Sequence, residues 1–204
     1  MNVSTRASLQ RYRLPGTNLV QENDYSSSGK CFHSAFGNAL MDALNEEEKH
    51  RLFGHRPPRN LQNMVQGWLQ ETLEDHTIHE CLEKYPGLWQ DKERGIVTFQ
   101  DYKTKHLKGV KSSWGGTLDI HLLAYFVKGK GIKNNIVVHS KNTCRYTVHR
   151  PFRPSTAKSS ISNLMPVTHM EPHPISGELA LPCPDCILLI NTGNVHWSRA
   201  VLPS

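Results

Sequence analysis

Apolar positions recur at helical spacing in several stretches of this chain. Phe32, Ala35, Phe36, Ala39, Leu40, Ala43 and Leu44 fall at i, i+3, i+4, i+7, i+8, i+11 and i+12, which predicts one face of a buried helix after a Ser/Gly loop at 23–29. Asn45 ahead of Glu46, Glu47 and Glu48 predicts a capped short helix that Gly54 ends. Beyond Pro57 and Pro58, Leu61, Met64, Val65, Trp68, Leu69, Thr72 and Leu73 repeat the helical spacing, with a further turn or two through Ile78, Cys81, Leu82 and Tyr85 before Pro86 and Gly87. Thr117–Val127 is an apolar run of helical length. Strands are expected at Ile136–Val138, Arg145–Val148, Ile187–Ile190 and His196–Leu202, the last two in a hairpin-like arrangement, with a short strand at Ile96–Phe99. Residues 150–184 hold seven prolines and few apolar clusters, so they read as a surface excursion. Residues 1–22 read as an irregular N-terminal arm, which leaves 23–204 as one domain. Helices come first and strands mostly last, the order of an α+β domain.

Composition narrows the class. With 204 residues, 37% of them apolar, the chain is long enough for one real core, and wholesale disorder is not expected. No stretch approaches the roughly 18 apolar residues of a membrane span, and the first twenty residues lack a signal-peptide core. Five scattered Cys fit a reducing compartment better than a disulfide scaffold. The expected location is cytoplasmic, including a host cytosol if the chain is a delivered effector. The net charge of +6 is unevenly distributed: residues 101–150 carry ten Lys and Arg against two acids. Lys103, Lys105, Lys108 and Lys111, then Lys128, Lys130 and Lys133, bracket the Thr117–Val127 helix. They are lysines with few interleaved aromatics, so nucleic acid is not the expected partner. A solvated face is the simpler reading, and a patch for an acidic partner the sharper one.

Two residues could carry chemistry together. Cys31 stands directly ahead of the strongest helix, where backbone N–H groups and the positive end of the helix dipole stabilise a thiolate. A buried structural Cys is the plain alternative. His196 lies between the Gly193-Asn194 turn and a strand, flanked by Trp197, a setting that suits an oriented, partly desolvated general base. An early Cys before a helix and a late His on a strand is the arrangement of papain-like thiol hydrolases. His169, His173, Cys183 and Cys186 have ligand types that could hold zinc, but interleaved prolines and the lack of a hairpin or helix pattern argue against it. No metal or cofactor is expected.

Three segments carry a family resemblance. Gly29-Lys30-Cys31-Phe32-His33-Ser34-Ala35-Phe36 resembles the nucleophile motif of ovarian-tumour (OTU) cysteine proteases. Trp114-Gly115-Gly116-Thr117-Leu118-Asp119-Ile120 resembles that family's Trp-Gly-Gly-acidic helix start. Asn194-Val195-His196-Trp197 resembles its terminal Asn-His-aromatic motif with one residue inserted. The resemblance implies a papain-like OTU fold, with N-terminal helices packed on a small, mostly antiparallel sheet. It implies a cysteine-type deubiquitinase, a monomer that removes ubiquitin, or a ubiquitin-like modifier, from lysines, with ubiquitin or polyubiquitin as partner. Cys31 would be the nucleophile and His196 the base. The Ser28, Gly29, Lys30 and Cys31 loop would supply oxyanion N–H groups. Trp114, Gly115 and Gly116 would shape a groove for the modifier's Gly-Gly tail, with Trp197 beside the base.

The chain departs from the family pattern at two positions. Ser28 stands where the family usually has Asp, and Ser198 stands two residues after the His, where Asn or Asp is usual. Asp24, seven residues before Cys31, is the candidate third member, with Asn23, Asn194 and Ser198 as alternatives. Those departures keep a non-catalytic OTU-like binding module in play, its basic face serving an acidic protein or nucleic acid. Another papain-like reaction, transglutamination or deamidation, would use the same Cys and His.

Overall fold

The structure is a computed structural model that describes residues 12–22, 31–55, 58–93, 95–107, 115–155, 157–171, 176–179, 181, 186–193 and 196–203. Among these, helices α1 (Cys31–Ala43), α2 (Glu46–Phe53), α3 (Leu61–Glu74), α4 (His76–Glu83), α5 (Phe99–Leu107), α6 (Thr117–Gly129) and α7 (Ile161–Leu164) accompany six strands. The strands are β1 (Val20–Glu22), β2 (Ile136–Ser140), β3 (Arg145–His149), β4 (Val167–Met170), β5 (Ile187–Asn191) and β6 (Trp197–Val201). They form one sheet in the order β1-β6-β5-β2-β3-β4, antiparallel throughout except for the parallel β2–β5 pair. The architecture is α+β.

Alternation along the strands sorts the core into two layers. Ile136 and Val138 of β2, Ile187 and Leu189 of β5, and Trp197 of β6 face α1, α3 and α6. Val137, Leu188, Ile190, Tyr146 and Val148 point to the opposite face. That face is closed by Leu14 and Leu179, and Tyr146 Oη donates to the Pro15 carbonyl at 2.6 Å. The expected helices α1 to α4 and α6 form where the apolar periodicity places them, and the capping box at Asn45 and Glu48 starts α2 as its sequence demands.

Three expectations are corrected. Residues 12–22 are not irregular: Val20–Glu22 pairs with Val201, Ala200 and Arg199 of β6, and Leu14 is fully buried. Three residues are too few to show alternation, and their partner lies at the other end of the chain. Ile96–Phe99 is not a strand. Thr98 Oγ1 accepts from Asp101 N at 3.1 Å while Asp101 Oδ2 accepts from Thr98 N at 2.8 Å, a reciprocal cap that starts α5 at Phe99. Nor does the proline-rich stretch simply ride on the surface. It sends Phe152 and Leu164 into the core and adds β4 to the sheet through β3.

A buried histidine pair fastens α6 to β3. His121 Nδ1 lies 2.6 Å from the Arg150 carbonyl, which only accepts, so this nitrogen carries the proton. In the neutral His121 ring Nε2 is then a lone pair, which accepts from His149 Nδ1 at 3.2 Å. Burial holds both below the usual histidine range, and for His149, with the two neighbouring imidazoles also opposing charge, the value falls to about 3. In the unfolded chain both would take a proton near ~6.5. Their contribution to stability is thus complete above ~6.5 and declines as pH falls below it, for His149 down to about 3. Denaturant melts across this window are expected to show stability dropping by up to about 1.4 kcal/mol per pH unit for each ring. A His149→Leu variant that keeps the wild-type slope would refute this assignment.

Candidate functional site

Cys31 is the first residue of α1, a helix of 13 residues whose first turn has no acidic side chain. The Cys31 side chain is 1% exposed. At the other end of the chain, His196 precedes β6 and is half-exposed. Its position is fixed through its backbone: the Thr192 amide and Thr192 Oγ1 donate to the His196 carbonyl at 3.0 and 3.1 Å, closing the turn between β5 and β6. Gly193 in that turn has φ of 69°, a left-handed conformation that favours glycine.

The sequence neighbours of Cys31 and His196, Phe32 and Trp197, are in contact. Phe32, next to Cys31, meets the Trp197 ring edge-on with centroids 5.1 Å apart. Gly115 lies against the same Phe32 ring, so closely that a Cβ there would sit 2.1 Å from ring carbons. Three segments separated by more than eighty residues thus converge on one fully buried aromatic side chain. Gly116 is different. It is exposed, and a Cβ there would meet only Asp119 Oδ2, at 3.9 Å. Asp119 explains the acidic position of the motif: its Oδ2 accepts the Gly116 amide at 2.7 Å, capping α6, and its Oδ1 accepts from Tyr102 Oη at 2.9 Å. Among the described residues neither Cys31 Sγ nor the His196 imidazole has a hydrogen-bond partner.

Ser198 is fully buried, and its Oγ accepts from Gln21 Nε2 of β1 at 2.9 Å. Gln21 Oε1 in turn accepts from Lys141 Nζ at 3.1 Å. Lys141 also lies over the Tyr12 ring at 4.1 Å. Partial burial first, and the Lys141 ammonium second, hold His196 below the usual histidine range. Gln21 and Lys141 were not anticipated from sequence. Gln21 reaches the site because β1 pairs with β6, and Lys141 because β2 pairs with β5 and its amide continues that ladder to the Asn191 carbonyl; no local pattern announces either register. Arg199, on the helix-facing side of β6, donates to Glu22 and, at 2.5 Å, to Asp42 of α1, tying the His196 strand to the Cys31 helix.

Asp24, Asn23, Ser28, Gly29, Lys30, Trp114 and Asn194 lie outside the described residues, as do His173 and Cys183 of the zinc alternative. Of that alternative, His169 bonds Thr147 on an exposed strand, and no cluster of three or more possible metal ligands occurs among the described residues. No described helix is long and apolar enough to cross a membrane.

Family models and curated proteins yield no match. Solved structures do. An OTU deubiquitinase from Wolbachia pipientis wMel superposes with a TM-score of 0.50 at 11% identity, covering 90% of this chain and 88% of that one. The viral OTU domain protease from Farallon virus gives a TM-score of 0.42 at 18% identity, over 94% and 96% of the two chains. The likeness to the Wolbachia structure, over 90% of this chain, shows that the seven described helices and the mixed, mainly antiparallel sheet adopt a papain-like OTU fold.

Proposed function

We propose that the chain is a thiol isopeptidase that removes ubiquitin, or a ubiquitin-like modifier, from lysine side chains. The observation that carries this reading is the meeting of Phe32, Gly115 and Trp197, which sets the start of α1, the lead into α6 and the His196 strand around one ring. In the proposed reaction His196 accepts the Cys31 thiol proton, and the sulfur attacks the carbonyl at the modifier's C-terminal glycine. The protonated imidazole then gives its proton to the departing lysine amine. Water hydrolyses the thioester with His196 again as base, restoring the thiol. Backbone N–H groups at residues 28–31 receive the oxyanion, and Gly115 and Gly116 border the tail. Asp24 remains the proposed third member; Ser198, held by Gln21, is the alternative.

Covalent labelling tests the reading. A ubiquitin probe with a C-terminal electrophile is expected to add to the wild-type chain and not to Cys31→Ala. A folded wild-type sample that stays unlabelled by ubiquitin and by ubiquitin-like probes would sink it. A second reading, a non-catalytic OTU-like binding module, draws support from the nearly complete burial of Cys31. It predicts no labelling, and binding to an acidic partner that Cys31→Ala leaves unchanged.

A further inference from the structure

At the end of the sheet remote from His196, the segment leading into β2 and the one leaving β3 flank a cleft of about 1080 Å³. β2 runs antiparallel to β3 and parallel to β5, so Ile136 and His149 lie at one end while Asn191 and Trp197 lie at the other. At ~3.3 Å per residue, the four steps of a five-residue strand separate the two ends by about 13 Å. A ligand in this cleft is not the peptide at Cys31.

Its walls are strongly basic. Lys128, Lys130, Lys133, Arg150 and Arg153 line it, against two carboxylates, Glu71 and Asp75. Lys128, Lys130, Lys133 and Arg153 are exposed. Two of the five cations are already engaged. Lys130 lies 3.3 Å from Glu71 and over the Phe126 ring, and Arg150 donates to Asn135 Oδ1 at 2.6 Å. Lys128, Lys133 and Arg153 have no ion-pair partner among the described residues. The buried His149 at the back is neutral and adds no charge.

We propose that this cleft docks an acidic peptide segment of a protein partner, its carboxylates meeting Lys128, Lys133 and Arg153. Three features favour a peptide over a nucleic-acid strand. A phosphodiester carries a charge at every residue, and two wall carboxylates would stand against it; an acidic peptide places neutral residues there. Single-strand channels offer successive aromatic platforms, whereas Phe126 is buried beneath Lys130 and only Tyr125 is partly open. Lysine ammoniums are point charges that suit spaced carboxylates, and the Arg150 fork is committed to Asn135. The inference is independent of the chemistry at Cys31.

Fluorescence anisotropy on the full chain tests it, using a labelled peptide of alternating Glu and Ser, its Gln-Ser counterpart and an oligothymidylate. The Glu-Ser peptide is expected to bind, the Gln-Ser peptide not to bind. Affinity is expected to fall as salt rises from about 50 to about 300 mM. The variant K128A/K133A/R153A is expected to weaken binding roughly tenfold or more, while K128R/K133R retains it. All these side chains are exposed, so an unchanged thermal melt is expected and separates charge loss from misfolding. Undiminished binding by the alanine variant overturns the proposal. So does absence of peptide binding, or an oligothymidylate that binds more tightly than the peptide.

Discussion

Replacing His196 with Ala is expected to cut kcat/KM on a ubiquitin C-terminal fluorogenic substrate by about three orders of magnitude, within the range general-base removal produces. Its thermal melt is expected to stay where it was. The carbonyl that Thr192 holds is backbone and survives the substitution, while the half-exposed imidazole has no hydrogen-bond partner among the described residues. The pH profile supplies a second readout. Burial and Lys141 both lower the His196 value, so the neutral ring, the form that accepts the thiol proton, persists below ~6.5. The acid limb of kcat/KM should therefore lie below ~6.5 in the wild-type chain. Lys141→Met removes the smaller cause and should move that limb upward, with burial still holding it under the unperturbed value. A limb that does not move would show that Lys141 does not act on His196. Wild-type turnover by His196→Ala would remove the general base from the proposed mechanism altogether.

Much of this arrangement is legible in the chain, for a physical reason in each case. The α1 face is written as Phe32, Ala35, Phe36, Ala39 and Leu40 because one stripe of that helix is buried, and a buried stripe imposes the 3.6 period. β5 reads as Ile-Leu-Leu-Ile because it is central and covered on both faces. Misread elements are those whose cause is not local or competes with a stronger cue. Ile96, Val97, Thr98 and Phe99 have strand-type side chains, yet the Thr98-x-x-Asp101 box outweighs that propensity and opens a helix. β1 has three residues and depends on a partner about 180 positions away. At the site, the positions of Cys31 at a helix start and His196 at a strand edge follow from local sequence. The contact of Phe32 with Trp197 follows from the packing of α1 on β6, and the placing of Gln21 and Lys141 behind Ser198 from sheet register. Likewise the seven prolines of 150–184 conceal Phe152 and Leu164, two buried side chains held by backbone bonds to His121 and Arg153.

Close packing of Phe32 makes Gly115 a sensitive position near the site. Gly115→Ala is expected to destabilise the chain by roughly 1–3 kcal/mol or more, the range for forcing atoms into a packed core. For a chain of this size that corresponds to a fall in Tm of about 2–4 °C per kcal/mol. The added methyl would sit 2.1 Å from Phe32 ring carbons, and the ring has no free direction: it is fully buried against Trp197, His33 and Phe36. Any shift of Phe32 displaces Cys31 on one side and Trp197 on the other, so hydrolysis should fall together with stability. Two further variants separate these effects. Gly116→Ala has open space and an extended φ of −113°, so its melt should match wild type. A rise in KM without a change in melt at that position would show that the absent side chain serves the modifier's tail rather than the fold. Phe32→Leu combined with Gly115→Ala removes ring atoms from the path of the methyl, and the pair should be more stable than the sum of the single changes predicts. Additive losses in that double variant, or an unchanged Tm in Gly115→Ala alone, would mean that contact with Phe32 is not what requires glycine at position 115.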